Sequence, residues 1–334
     1  MVGREVEIMI EHQKIPVTKI ISIACRDFMA FSGVHTFEFD SGLNSIIGGN
    51  ASGKSSLITL ITQTLSPETS KRWNKQWYPN NNSDQSLLEI KFIADGKTHY
   101  LRRVMNGDNT TDLHLYIGED GDEEREFFRD SQVVGYLTKL KPVFLLDGFA
   151  TSRRDFFTWT SRNKANADSM FVYREDLLDK LNFLLPITNQ KVVKVEMSGN
   201  EMKAVYDDGQ RVRLSALASG NMRVVFVLAK ILTMLATIEE DDLSRVVLID
   251  EIEMGLDRSS MKGLNDAIKH IAAENDCQFM ITSRFVNGRV NPIRVNRTRI
   301  PGYYKTQANT IYQNPIITSH FQKFAKKVSW NWKP

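Results

Sequence analysis

One stretch of the sequence limits the possible folds more than any other. Residues 48–55 read Gly-Gly-Asn-Ala-Ser-Gly-Lys-Ser, with the spacing G-x-x-x-x-G-K-S, and we call them the phosphate loop. The apolar run Leu43–Ile47 precedes the loop, and residues 56–61 after it have a sequence compatible with a helix. A glycine-rich loop between strand and helix turns backbone N–H groups inward around phosphate oxygens, and the helix dipole adds positive potential there. The sequence therefore predicts an α/β fold that binds a nucleotide.

The phosphate loop assigns a role to each of its polar residues. Lys54 is expected to neutralise charge on the β- and γ-phosphates of ATP, and the hydroxyl of Ser55 is expected to ligate Mg²⁺. The predicted nucleotide contacts are Gly48, Gly49, Asn50, Ala51, Ser52, Gly53, Lys54, Ser55 and Ser56.

A second motif lies about two hundred residues further along the chain. The apolar run at residues 246–249 ends in Asp250 and Glu251. Buried parallel strands present their carboxyl ends to ligands, so these carboxylates are expected to approach the phosphate loop. Asp250 then holds Mg²⁺, directly or through water. Glu251 orients and deprotonates an attacking water, and we predict Glu251 and Lys54 as the catalytic residues.

The composition is that of a globular protein from a reducing compartment. The chain has 334 residues, of which 42% are hydrophobic and 25% charged, enough for one large domain or two smaller ones. Cys25 and Cys277 have no nearby partners at metal-ligand spacing, which argues against disulfides and zinc. Residues 1–5 lack an apolar signal core, and the stretch 224–238 is too short for a membrane span. We expect a cytoplasmic protein with no membrane partner.

Hydrophobic periodicity and turn residues predict the remaining elements. The predicted strands are 19–25, 35–39, 44–47, 87–93, 99–104, 113–117, 141–146, 192–197, 203–206, 211–214, 244–249 and 279–282. Helices are predicted from the phosphate loop to residue 65 and over 171–185, 221–237 and 259–274. The first two strands, and the pair 87–93 and 99–104, are expected to form antiparallel hairpins.

Taken in order, the motifs resemble those of ABC-type ATPase heads of the RecF, SMC and OLD group. Residues 217–223 resemble the signature segment of that group, and residues 250–257 resemble its Walker B motif and D-loop, with Ile252 where a proline is usual. Residues 278–283 resemble the strand that carries its switch histidine. The resemblance covers residues 18–285. It implies an α/β ABC ATPase head: a mixed sheet with a phosphate-loop core, an antiparallel β subdomain and a helical lobe.

The resemblance also implies a domain plan and an assembly. Residues 1–285 would form the ATPase domain, with nucleotide-binding halves at 18–67 and 190–285 and an insertion or lobe at 68–189. Two copies would enclose ATP as a homodimer, or as part of a higher assembly. In such a dimer Ser219, Gly220 and Asn221 of one copy contact the nucleotide held by the other.

Two positions depart from the group's pattern. Ala218 stands where the signature serine is usual, with Ser219 beside it, and Ser283 stands in place of the switch histidine. We therefore expect either slow turnover or a different sensor of the γ-phosphate, with Ser283 and Arg284 as the candidates. Gln132 is a weak candidate for the glutamine of the Q-loop, and His270 is expected to be structural.

The C-terminal segment 286–334 combines aromatic side chains with nine Lys or Arg residues and no Asp or Glu. Two interpretations stay open: contact with nucleic acid, for instance through Arg297 and Arg299, or a structural or partner-docking role. Arg153 and Arg154 are likewise either DNA or phosphate contacts or a solvated helix start. Without carboxylates the tail has no nuclease metal site, so any DNA cleavage would require a separate chain.

These observations favour an Mg²⁺-dependent ATP-binding and ATP-hydrolysing switch. It would act with a separate effector, a nuclease or a toxin, in DNA repair or anti-phage defence. The alternative is a structural scaffold that binds ATP in order to assemble and hydrolyses little of it. A transporter motor is disfavoured because transporter heads usually keep the full signature and the switch histidine.

Overall fold

The computed structural model describes residues 14–66, 85–106, 110–118, 126–141, 143–146, 175–198, 201–239, 244–253, 255–284, 292–300 and 303–309. Arg153, Arg154, the acidic run at 119–124 and most of the C-terminal segment lie outside these residues. The described strands are β1 (Val17–Phe28), β2 (Phe31–Glu38), β3 (Leu43–Ile47), β4 (Gln85–Ala94), β5 (Lys97–Asn106), β6 (Thr111–Ile117), β7 (Glu126–Arg129), β8 (Phe144–Leu146), β9 (Val192–Ser198), β10 (Glu201–Tyr206), β11 (Arg211–Arg213), β12 (Val246–Ile249), β13 (Gln278–Ser283), β14 (Pro292–Ile300) and β15 (Tyr303–Asn309).

Five described helices accompany these strands. They are α1 (Lys54–Leu65), α2 (Ser131–Leu137), α3 (Glu175–Leu184), α4 (Ser219–Glu239) and α5 (Arg258–Asn275). Single turns of 3-10 helix follow α3 at Leu185–Thr188 and precede α4 at Leu214–Ala216. The helices predicted at 221–237 and 259–274 correspond to α4 and α5 within two residues at each end.

One mixed sheet organises the described residues. Its strand order is β7-β6-β5-β4-β1-β2-β15-β14-β3-β13-β12-β8. The strands β14, β3, β13, β12 and β8 are parallel to one another. The short apolar runs of β3, β12 and β13 are buried throughout, as expected for strands covered on both faces. The phosphate loop and Asp250 therefore both follow the carboxyl-terminal ends of parallel strands. We call this end of the sheet the nucleotide edge.

The other half of the sheet is antiparallel and is built from hairpins. β1 pairs with β2 and with β4, and β4 pairs with β5 over ten residues. Asp95 and Gly96 connect β4 to β5 with φ angles of 51° and 67°, the left-handed backbone that a two-residue hairpin turn requires. The hairpins predicted from the sequence are therefore present.

Two buried clusters lie on the two faces of the sheet. Alternate residues of β12 show the division, because Val247 and Ile249 belong to one cluster and Val246 and Leu248 to the other. The first cluster includes α3, α4, α5 and the small antiparallel sheet of β9, β10 and β11, and the second includes α1 and α2. Each fully buried aliphatic side chain stabilises the fold by about 1.5–3 kcal/mol. Because there is one cluster on each face, both faces of the sheet contribute to holding the strands that end at the nucleotide edge.

The helix α4 is apolar on nearly every side. Its stretch Ser219–Ala236 is long and apolar enough to cross a membrane, yet 72% of it is buried within the protein. A helix that is hydrophobic all round belongs in a core, and α4 lies in the cluster formed with α3 and α5.

The sheet continues beyond residue 285, into the segment that the sequence assigns to a separate tail. β14 inserts beside β3, where Ile293 opposes Ile46 and Arg294 opposes Ile47. β15 then pairs with β14 and meets β2 at a single position. The strand pair of β14 and β15 agrees with the structural role that the sequence left open for this segment, but the place of β14 beside β3 was not predicted. β7 and α2 were also not predicted.

Candidate functional site

The phosphate loop connects the buried end of β3 to the first turn of α1. Ala51 and Gly53 have φ angles of 57° and 109°, so the backbone reverses its handedness twice within three residues. Such alternation turns successive N–H groups toward one side and forms a concave anion site. The helix α1 begins at Lys54, within the phosphate loop, and the helix dipole favours negative charge at this end.

Gly48 fixes the base of the loop against neighbouring strands. Its N–H donates to the Ser283 carbonyl of β13 at 3.2 Å. A Cβ on Gly48 would lie 2.2 Å from the Val295 carbonyl oxygen of β14 and 2.3 Å from Ser52 Oγ. No other residue fits this position, because the obstacle on one side is backbone. Gly49 differs, since a Cβ there would meet nothing within 4 Å.

The side chain of Lys54 folds back over the first residues of the phosphate loop. Its Nζ donates to the carbonyl oxygens of Gly48 and Gly49 at 2.9 and 2.8 Å, and the residue is only 7% exposed. Burial lowers the pKa of the Lys54 ammonium. Three carboxylates oppose that shift, in decreasing order those of Glu253, Asp250 and Glu251. The predicted lysine and the predicted acidic residues therefore share one electrostatic site.

Asp250 and Glu251 follow β12, and the neighbouring strand β13 fixes both. β13 lies between β3 and β12 in the sheet. The Thr282 hydroxyl donates to Asp250 Oδ1 and accepts the backbone N–H of Glu251 at 2.7 Å. Asp250 Oδ1 accepts that same N–H at 3.1 Å, and the Asp250 N–H donates to the Leu146 carbonyl of β8. Nothing in the sequence around Thr282 indicated this role.

Glu251 adopts a left-handed backbone conformation with φ of 49°, which is uncommon for a residue with a side chain. Arg223 of α4 helps to hold it, because its Nη2 donates to the Glu251 carbonyl at 3.2 Å. Burial lowers the pKa of Arg223, and the carboxylates of Glu253 and Glu251 oppose that shift. The helix that begins at the signature segment is thereby bonded to the predicted catalytic residue of the same chain.

The residues at this edge fit a nucleotide with its magnesium ion. Ser52 Oγ is buried inside the loop, and no described group forms a hydrogen bond with it, so it is an oxygen that a phosphate or a water can engage. Ser55 is exposed in the first turn of α1, and Asp250 is half-buried across β13. A hydroxyl and a carboxylate are oxygen donors of the kind that Mg²⁺ prefers.

The signature segment lies on the surface at the start of α4. Ala218 and Ser219 are exposed, and Gly220 and Asn221 are half-buried. Gly220 also packs against the segment that follows Glu251, because a Cβ there would lie 3.3 Å from the Gly255 carbonyl oxygen. Ser219 is thus positioned to contact another molecule, while Gly220 contacts its own chain.

The two candidate sensor positions have different surroundings. Ser283 is 1% exposed, and its carbonyl accepts the Gly48 N–H. The Arg284 side chain is 48% exposed and forms an ion pair with Glu253, whose side chain is 1% exposed. Glu253 Oε1 accepts both the backbone N–H and the Nε–H of Arg284, each at 3.1 Å. Glu253 was not predicted as a site residue.

The other predicted residues have no described contact with the phosphate loop. Gln132 belongs to α2, beside β7 and eight strands from β3, and its Oε1 accepts the Arg129 N–H at 3.4 Å. The assignment of Gln132 to the Q-loop stays a prediction. His270 contacts Phe183 and Glu274 on the surface of α5, in agreement with a structural role. Arg297 and Arg299 lie on β14, opposite Thr306 and Tyr304.

Comparison with known families agrees with this geometry. A family model described as an AAA domain matches residues 22–275. The chain belongs to the AAA domain family. The match spans β1 to the end of α5 and so includes the phosphate loop, the signature segment, Asp250 and Glu251. Comparison with curated protein sequences gives no match.

Solved structures of similar fold include SMC heads. The SMC head domain from Thermotoga maritima has a TM-score of 0.57 at 13% identity, covering 87% of this chain and 99% of that one. An SMC head bound to the C-winged helix domain of ScpA gives 0.56 at 17% identity, covering 87% and 98%. An SMC head with an extended coiled coil, bound to the C-terminal domain of ScpA from Pyrococcus furiosus, gives 0.56 at 13% identity, covering 91% and 99%.

The family and the fold together confirm two expectations from the sequence. The chain has the AAA domain, and its fold is the mixed α/β sheet of an SMC head, as the resemblance to ABC-type ATPase heads predicted.

Proposed function

We propose that this chain binds ATP with Mg²⁺, hydrolyses it, and uses the bound nucleotide to join two copies of itself. The observation that carries the proposal is the meeting of three elements at one sheet edge. These are the phosphate loop, the pair Asp250 and Glu251, and Thr282, which bonds to both members of that pair.

Each residue has a defined task in the hydrolysis. Lys54 neutralises charge on the β- and γ-phosphates, and the backbone N–H groups of the phosphate loop bind their oxygens. Ser55 and Asp250 would hold the magnesium ion, which when bound would supply further neutralisation of phosphate charge. Glu251 orients the attacking water and accepts its proton, helped by a backbone that Thr282 and Arg223 hold in place.

The dimer follows from the signature segment. Ser219 is exposed at the N-terminus of α4, a helix of 21 residues, and a helix N-terminus favours bound anions. In the proposed dimer Ser219, Gly220 and Asn221 of one copy approach the γ-phosphate held by the other. The proposal also includes a cytoplasmic switch role with a separate effector, a nuclease or a toxin, in DNA repair or anti-phage defence. DNA is a further candidate ligand.

Mass measurements in solution test the dimer. With ATP and Mg²⁺ we expect the full chain to double its mass, and Ser219→Arg to stay monomeric while still binding ATP. Lys54→Ala should lose ATP binding and the dimer together. Ser131→Arg is the control. Ser131 is exposed at the start of α2, beside the outer strand β7, and this variant should behave as the wild type. A Ser219→Arg protein that dimerises normally would contradict the sandwich.

A further inference from the structure

Glu253 is a buried carboxylate with an unusual arrangement of partners. One of its oxygens, Oε1, accepts two hydrogen bonds from Arg284, while Oε2 is buried and has no hydrogen-bond partner among the described residues. An unsatisfied buried carboxylate oxygen destabilises a protein, so packing stability alone does not account for Glu253.

The way Glu253 holds Arg284 leaves the tip of the guanidinium available. Arginine and carboxylate often pair through two parallel hydrogen bonds, which use Nε or Nη on one side and both carboxylate oxygens on the other. Here the backbone N–H and Nε share a single oxygen. No hydrogen bond from a described residue engages Nη1 or Nη2, and the side chain is 48% exposed. Two parallel donors therefore remain for a ligand.

Arg284 is located at the phosphate loop. It follows Ser283, whose carbonyl accepts the N–H of Gly48, the first residue of that loop. Its positive charge is also close enough to Lys54 to disfavour the Lys54 ammonium. Two cations that repel one another at the end of a phosphate-binding loop are stabilised together when an anion lies between them.

We propose that Arg284 binds the γ-phosphate of ATP in its own subunit and that Glu253 is the positioning residue that aims it. The planar guanidinium matches two phosphate oxygens, and attachment through Nε fixes its direction before the nucleotide arrives. This assignment rests on the proposed ATP site. It provides a γ-phosphate contact next to Ser283, which is itself buried.

The test compares the affinity of the full chain for AMP-PNP and for ADP, both with Mg²⁺. Arg284→Ala should weaken AMP-PNP binding about tenfold or more, since a hydrogen-bonded charge pair is lost, and should leave ADP binding within about twofold. Glu253→Ala should give the same pattern, Glu253→Gln a smaller loss, and the double variant no more than Arg284→Ala alone. This ratio of affinities is a readout that a purely structural role would not change.

Arg245→Ala is the matched control. The Arg245 side chain is 44% exposed and is also paired with a carboxylate, that of Asp276 at 3.2 Å. It directly precedes β12 and so lies at the amino-terminal end of that strand, opposite the nucleotide edge. It should not change either affinity. The Arg284 side chain is half exposed, so Arg284→Ala should fold even if the variants of the buried Glu253 do not. The proposal can then still be tested on Arg284→Ala.

Three results would overturn the assignment. They are an unchanged ratio in Arg284→Ala, an equal loss of both nucleotides in that variant, and an unchanged ratio in a folded Glu253→Ala protein. Failure of the underlying ATP site gives a different result, because the wild type would then bind neither AMP-PNP nor ADP.

Discussion

Thr282 donates its hydroxyl proton to Asp250 Oδ1 and accepts the N–H of Glu251, the next residue along the chain. One side chain of β13 thereby fixes the predicted magnesium ligand and the predicted general base. Thr282 is fully buried, so water does not replace these bonds if they are lost. The relationship depends on β13 lying between β3 and β12 in the sheet.

We predict that Thr282→Val lowers ATP turnover at least about tenfold, equivalent to about 1.4 kcal/mol in the barrier. Valine has nearly the same shape but has no hydroxyl, so Asp250 and Glu251 lose a shared partner. The free energy of unfolding should fall by about 1–3 kcal/mol. Thr282→Ser keeps the hydroxyl and should retain most of the turnover. Steady-state hydrolysis and urea unfolding of both variants measure this, and equal turnover in the two would contradict it.

The two glycines at the start of the phosphate loop should differ in their tolerance of a methyl group. Gly48→Ala places Cβ against the Val295 carbonyl, so β14 must move away from the loop. We expect a loss of about 1–3 kcal/mol of stability, typical of overpacking. Gly49→Ala meets nothing within 4 Å and should unfold like the wild type. Thermal unfolding of the two variants without nucleotide is the measurement, and equal midpoints would show that β14 does not pack there.

A third prediction concerns pH and the antiparallel half of the sheet. Burial raises the pKa of Glu89 to about 7 from 4.5, and Arg102, its ion-pair partner, opposes part of that rise. The folded chain therefore binds this proton more tightly than the unfolded chain. Its contribution to stability is full below about pH 4.5 and is lost as the pH rises through about 7.

Urea unfolding of the wild type and of Glu89→Gln across this range tests the Glu89 prediction. Relative to Glu89→Gln, the wild type should lose roughly 1–3 kcal/mol of unfolding free energy as the pH rises through about 7, and the difference should be constant once the folded group has ionised. The neutral amide removes the titration while keeping an oxygen for Arg102. Parallel pH profiles for the two proteins would mean that Glu89 titrates normally.

Much of the nucleotide edge was predictable because its signals are local. The phosphate loop is a contiguous motif, and β12 is an apolar run that ends in two carboxylates. The turn at Asp95 and Gly96 is likewise set by the residues that form it. These features depend on neighbours in the sequence, and the structure has them where the sequence predicted them.

The partners of the carboxylates could not be predicted, because they come from distant parts of the chain. Thr282 lies 31 positions from Glu251, and Arg223 lies 28 positions before it. Glu253 looks like one more acidic residue after β12 until the end of β13 brings Arg284 to it. The position of β14 beside β3 could not be predicted for the same reason, since this pairing has no local signal.

Steady-state ATP hydrolysis by the wild type and by Glu251→Gln shows whether Glu251 takes a proton from the attacking water. Glutamine has the same shape but cannot accept the proton. We expect the variant to lose at least about a hundredfold in turnover, within the usual range for a general base, while it still binds ATP and dimerises. If the wild type and the variant are equally inactive and ATP still joins two copies, the chain is a scaffold that ATP assembles, and the account of hydrolysis is wrong.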